Sequence, residues 1–117
     1  TAAWLVVSCD LPLFEGEDDE RLVAGRDPHA VATAFASRNE SRTDRQSVEL
    51  LPEPLCAIYE PKARPRLLSA LSRGALCPRW VLRTGGTTLI EPARADAVLN
   101  ANDTEAYERA RALIGGR

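Results

Sequence analysis

Three side chains at the ends of apolar runs have the types and spacing to do chemistry. Asp10 closes the run Trp4-Leu5-Val6-Val7-Ser8-Cys9, and Pro12 then breaks the pattern. A carboxylate at the carboxyl edge of a sheet strand is where open α/β sheets place their ligands. Asn100 and Asn102 follow a second run, Ala97-Val98-Leu99. Two asparagines two apart on extended backbone point the same way, so both amides can grip one polar heterocycle or sugar. The helix expected next presents free N–H groups nearby, a favourable place for an anion. An acid beside phosphate-friendly N–H groups suits a magnesium-dependent phosphate reaction, because Mg²⁺ takes one or two protein carboxylates plus phosphate oxygens and water. The plain structural readings stand beside these: Asp10 can start a turn or cap a helix, and Asn102 can help to cap the last helix.

The elements that must position these groups follow from the pattern. An apolar run without alternation, as over residues 4–9, predicts a strand buried on both faces, as in a parallel α/β sheet. The acidic run Glu15 to Glu20 followed by Leu22-Val23-Ala24-Gly25 predicts a helix over 17–24 with a solvated start. Ala30 to Ala36 reads as a strand, though its alanines leave a helix open, and the polar stretch Ser37 to Gln46 predicts a loop. Prolines 52, 54 and 61 bracket a strand of about five residues at 55–59. Leu67, Leu68 and Leu71, with Ala63 and Ala70, have the spacing of an amphipathic helix on a sheet, with Gly74 as its stop. Arg64, Arg66 and Arg73 on it are expected to face solvent. Pro78 begins a short helix that Gly85-Gly86 ends, and Thr87 to Ile90 is a strand. Residues 97–99 predict another strand. Asp103 caps a final helix that places Tyr107, Ala110, Leu113 and Ile114 on one face. Strands alternating with helices make the class α/β, in one domain over 1–117.

Composition narrows the function. A net charge of -2 and a pI near 5.4 argue against a nucleic-acid partner. No apolar run reaches the roughly 20 residues of a membrane span, and no secretory signal is legible. Cys9, Cys56 and Cys77 have no zinc or CxxC spacing, which fits reduced thiols in the cytoplasm. His29 is the one histidine, so a Ser-His-Asp set has little to draw on, and a lone histidine reads as a surface residue. No G-x-G-x-x-G or Walker loop occurs. The chain has no methionine and opens directly into a strand, so a fragment is expected, with strand 4–9 wanting neighbours upstream of Thr1.

In chain order these motifs resemble the C-terminal part of the MobA-like nucleotidyltransferases, the molybdenum cofactor guanylyltransferase family. Leu5-Val6-Val7-Ser8-Cys9-Asp10-Leu11-Pro12 is similar to the family's strand ending in aspartate and x-Pro. Glu53-Pro54-Leu55-Cys56-Ala57-Ile58-Tyr59 is similar to its P-L-x-A-aromatic strand. The helix to Gly74, the Cys77-Pro78-Arg79-Trp80-Val81-Leu82 element and Leu99-Asn100-Ala101-Asn102-Asp103-Thr104-Glu105 follow in family order. Asp103-Thr104 stands where the family has Thr-Pro.

The resemblance implies a Rossmann-like three-layer α/β/α nucleotidyltransferase fold, here N-terminally truncated, that joins GMP from GTP to molybdopterin with Mg²⁺. It implies Asp10 as metal ligand, Asn100 and Asn102 on the acceptor side, and Arg79 and Arg83 near acceptor phosphate. The family's Gly-rich nucleotide loop is missing from these residues, so alone they are expected to be inactive. A cytidylyltransferase using CTP, another nucleotidyltransferase acting on a phosphorylated acceptor, or a non-catalytic binding module that lost the loop are the competing expectations.

Overall fold

The computed structural model describes residues 2–39, 49–94, 98 and 104–115. The element order is β1 (Trp4–Val7), α1 (Gly16–Ala24), β2 (Ala32–Asn39), β3 (Glu49–Tyr59), α2 (Ala63–Ser72), α3 (Pro78–Gly85), β4 (Thr87–Ile90) and α4 (Thr104–Gly115). The described strands form one four-stranded sheet in the order β1-β3-β2-β4. β3 runs antiparallel to both neighbours, while β2 and β4 are parallel. β1, β2 and β4 therefore share a direction, and Asp10 follows the carboxyl end of β1.

Alternation divides the sheet into two faces. Phe35 and its β3 neighbours Cys56 and Ile58 pack with Leu11, Leu22 and Val98, while Phe14 and Ile90 lie against this cluster. Leu22 comes from α1, so α1 covers that face. Trp4, Val6, Leu55 and Tyr59 belong to the other face, where they share a groove with Ala63, Leu67 and Leu68 of α2. α3 packs on α2 and β3. The result is the expected three-layer α/β/α arrangement.

Several expectations change. β1 is not buried on both faces: it is the outer strand of the described sheet, with Trp4 72% exposed and Leu5 and Val7 also exposed. The sheet is mixed, because β3 reverses direction between β1 and β2. β3 is also longer than the five residues expected, and Pro52 and Pro54 lie inside it. The register slips where Ala34 faces Ala57 but Ala36 faces Pro52. β1 pairs only with residues 56–59, so the prolines sit at a bulge where no β1 ladder needs their missing N–H groups. Tyr59 Oη donates to Pro54 O at 2.5 Å and ties this bulge down. Burial, with Glu53 second, pushes the Tyr59 phenol up to about 12.

The helices differ in which face they bury. α2 buries Ala63 and Ala70, while Leu68 and Leu71 are exposed. Small residues let the helix lie close, and the leucines expected to face the sheet flank that contact instead. α4 likewise buries Ala106 and Ala110 and leaves Tyr107, Leu113 and Ile114 exposed. Ser37 to Asn39 continue β2 rather than opening a loop. The strand expected at 97–99 falls outside the described residues except for Val98, which is buried in the core.

Candidate functional site

Asp10 sits in the turn that follows β1. Ser8 N–H donates to Leu55 O at 2.8 Å, which carries the β1–β3 pairing one step beyond the strand. Ser8 Oγ then donates to Asp10 Oδ1 at 2.5 Å. Leu11 is buried just after it. The carboxylate is thus fixed from both sides: a hydroxyl orients one oxygen, and a core leucine anchors the chain. Asp10 Oδ2 accepts no hydrogen bond among the described residues, and the side chain is half-buried. A half-open carboxylate with one orienting donor fits a hard cation that takes its other ligands from phosphate and water. Among the described residues no group of three or more His, Cys, Asp or Glu could hold a metal, so Asp10 would serve as a lone protein carboxylate.

Arg79 starts α3 beside the same part of β3. Its Nε donates to Pro52 O at 3.2 Å, and its Nη2 reaches Glu53 Oε2 at 3.2 Å. Glu53 is buried and also accepts from Leu55 N–H at 3.4 Å. The bulge around Pro52 to Leu55 therefore brings a buried carboxylate and its guanidinium partner to the edge where β1 ends. Part of the charge of Arg79 is engaged by Glu53. Arg83, one turn later on α3, is exposed. Asn100 and Asn102 lie outside the described residues, as does Asp103.

Two buried carboxylates here escaped the sequence reading. Glu53 could have been suspected, since an acid between two prolines in an apolar run needs a partner if the run is buried. Asp18 belongs to the acidic run read as a solvated helix start, yet it is fully buried. It accepts from Glu15 N–H at 2.8 Å and from Arg94 Nη2 at 3.2 Å. Arg94 Nη2 also donates to Leu13 O at 3.1 Å. The acid run thus pins the loop after Asp10 to the segment after β4. Cys56 lies in the same electrostatic neighbourhood: burial first, then Glu53, Asp19 and Asp18, pushes its thiol up to about 12.

The opposite end of the sheet is also polar but has the character of a brace. Arg26 donates to both oxygens of buried Glu60, at 2.6 and 2.9 Å. Asp27 accepts from His29 N–H and Thr88 Oγ1, at 3.0 and 3.1 Å. His29 itself is exposed, as expected. Arg26 and Asp27 precede β2, Glu60 follows β3 and Thr88 lies in β4, on the far side from Asp10.

The sheet order and the covering helices define an α/β chain with a mixed four-stranded sheet. Over 104 residues it is 29% identical to a molybdenum cofactor biosynthesis bifunctional protein of Synechocystis, a match covering 89% of this chain and 27% of that protein. Its fold matches the crystal structure of molybdopterin-guanine dinucleotide biosynthesis protein A from Archaeoglobus fulgidus with a TM-score of 0.71 at 17% identity. That match covers 98% of this chain and 57% of the archaeal one, so the chain spans little more than half of that relative and about a quarter of the other. No family model matches. The MobA-like resemblance carried by the motifs therefore holds in both comparisons, and the fold is MobA-like.

Proposed function

We propose that this chain is the metal-ligand and acceptor-side part of a nucleotidyltransferase that transfers GMP from GTP to molybdopterin. The observation that carries the reading is Asp10, held by Ser8 at the carboxyl end of β1, with its second oxygen open among the described residues. Mg²⁺ bound there would neutralise phosphate charge and favour departure of pyrophosphate. Asp10 would hold the ion, with Ser8 fixing the carboxylate rotamer. Arg79, steadied by Glu53, offers positive charge toward acceptor phosphate, with Arg83 behind it on α3. Asn100 and Asn102 hold the pterin through their amides. The Gly-rich loop that cradles the triphosphate is supplied by residues other than these, so the chain alone is inactive and works in the cytoplasm joined to that nucleotide-binding half. The two relatives, named for molybdenum cofactor and molybdopterin-guanine dinucleotide biosynthesis, support this reading.

Asp10→Ala in the protein that also carries the nucleotide loop tests it. Nucleotidyl transfer should fall by at least about a hundredfold, since the metal loses its protein ligand. Near-normal transfer with an intact fold would sink the assignment. Running the assay with GTP and with CTP decides the nucleotide.

A further inference from the structure

The charges of this chain are segregated. Between Pro61 and Ile90 lie Lys62, Arg64, Arg66, Arg73, Arg79 and Arg83 and not one acid, while all 17 Asp and Glu lie elsewhere. A chain with a net charge of -2 thus carries a strongly positive outer layer on α2 and α3.

That layer is grooved. A cavity of about 500 Å³ runs between the two helices, lined by Lys62, Arg66, Ser69, Arg73, Trp80 and Thr84 over a floor of Ala70 and Val81. Its floor is apolar and buried, and no carboxylate among the described residues lines it. Lys62 donates to the backbone carbonyl of His29 and Arg73 to that of Ser69. Among the described residues none of Lys62, Arg66 and Arg73 is ion-paired with a carboxylate, in contrast to Arg26, Arg79 and Arg94. Trp80, 51% exposed, lines the same groove as these cations. It diverges from its neighbour Arg79, which turns to Glu53 at the candidate active site.

We propose that this groove binds a small phosphorylated heteroaromatic, the size of a nucleoside diphosphate, at a site separate from Asp10. Lys62, Arg66 and Arg73 take the phosphoryl oxygens, with guanidinium forks suited to bidentate contact. Trp80 stacks on the heterocycle, and the apolar floor excludes water beneath it. A cavity of this size accommodates a small molecule. The acidic remainder of the chain disfavours a nucleic-acid strand running past it.

The test is titration of the protein in Mg²⁺-free, low-salt buffer, with Trp4→Phe so that Trp80 is the remaining indole of these residues. ADP should bind saturably and quench Trp80, tripolyphosphate should displace it, and adenosine should not saturate. Arg66→Ser with Arg73→Ser should weaken ADP binding by at least about tenfold, with circular dichroism and the thermal midpoint unchanged. Asp10→Ala should leave binding intact. No saturable binding up to millimolar ADP overturns the proposal. Binding that survives the double arginine substitution, or that is lost with Asp10→Ala, overturns it as well, because it would place the ligand elsewhere.

Discussion

Among the described residues Asp10 has one oxygen held and one open, and the holder is Ser8 two residues earlier. If that hydroxyl orients a metal ligand, its removal acts through the metal. Ser8→Ala should raise the Mg²⁺ concentration for half-maximal transfer by about tenfold, the usual cost of losing a partner that orients a metal ligand. A magnesium titration of the complete enzyme checks this, and an unchanged requirement would reduce Ser8 to a turn residue. The thiols give a second test at this scale. Cys9 and Cys77 are exposed, whereas Cys56 is buried with its thiol pushed up to about 12. Iodoacetamide at neutral pH should therefore label the first two in the native protein and Cys56 only after denaturation.

Two acids at the far end of the sheet contribute to the pH dependence of stability. The Arg26 side-chain bonds hold Glu60 below its ordinary 4.5, and the bonds from His29 N–H and Thr88 hold Asp27 below its ordinary 3.8. Lowered carboxyl values give stability that is fully present above the unfolded values and lost as pH falls through the folded ones. The thermal midpoint should accordingly fall as the protein is taken below about pH 4.5, and Glu60→Gln should flatten part of that fall. Parallel curves for the two proteins would show that the Arg26 pair contributes nothing to acid stability.

Elements were legible where one local rule decided them. Acids before an apolar turn gave α1, Pro78 with Gly86 gave α3, and the short β-branched run gave β4. Gly86 stops α3 at a φ of 85°, and its carbonyl accepts from Val31 N–H at 3.2 Å. Gly86→Ala should destabilise by about 1 kcal/mol, the cost of a side chain in the left-handed region, measured by urea unfolding. What misled was tertiary. The leucines of α2 satisfied the helical period, but the alanines on the adjacent stripe permit closer approach to the sheet. Pro52 and Pro54 read as strand boundaries because a sequence does not show that β1 stops short of them. Asp18 read as solvated because its partner Arg94 lies 76 residues away. The place of Asp10 in a turn just after β1 was legible because an apolar run ends there and a proline follows. Its orienting hydroxyl and the Glu53–Arg79 pair depended on geometry that only pairing with β3 creates.

At the scale of the whole molecule, one side of the sheet is left open among the described residues. β1 is the outer strand, Trp4 is 72% exposed, and an apolar groove of about 500 Å³ runs from Trp4 and Val6 to Leu55, Leu67 and Leu68. The non-alternating run Trp4-Leu5-Val6-Val7 was read as a strand buried on both faces, and its composition suits that setting better than an exposed edge. In the proposed reading the nucleotide-binding half covers this edge, which would place its loop across from Asp10. Trp4→Glu then separates two outcomes. It should improve the solubility of the 117-residue chain by breaking an exposed apolar patch. In the complete enzyme it should cost about 2 kcal/mol of stability, the scale of one large apolar side chain withdrawn from burial, and lower transfer by loosening the two halves. If solubility improves while the complete enzyme keeps its stability and rate, the edge is open there too, and the nucleotide half joins elsewhere.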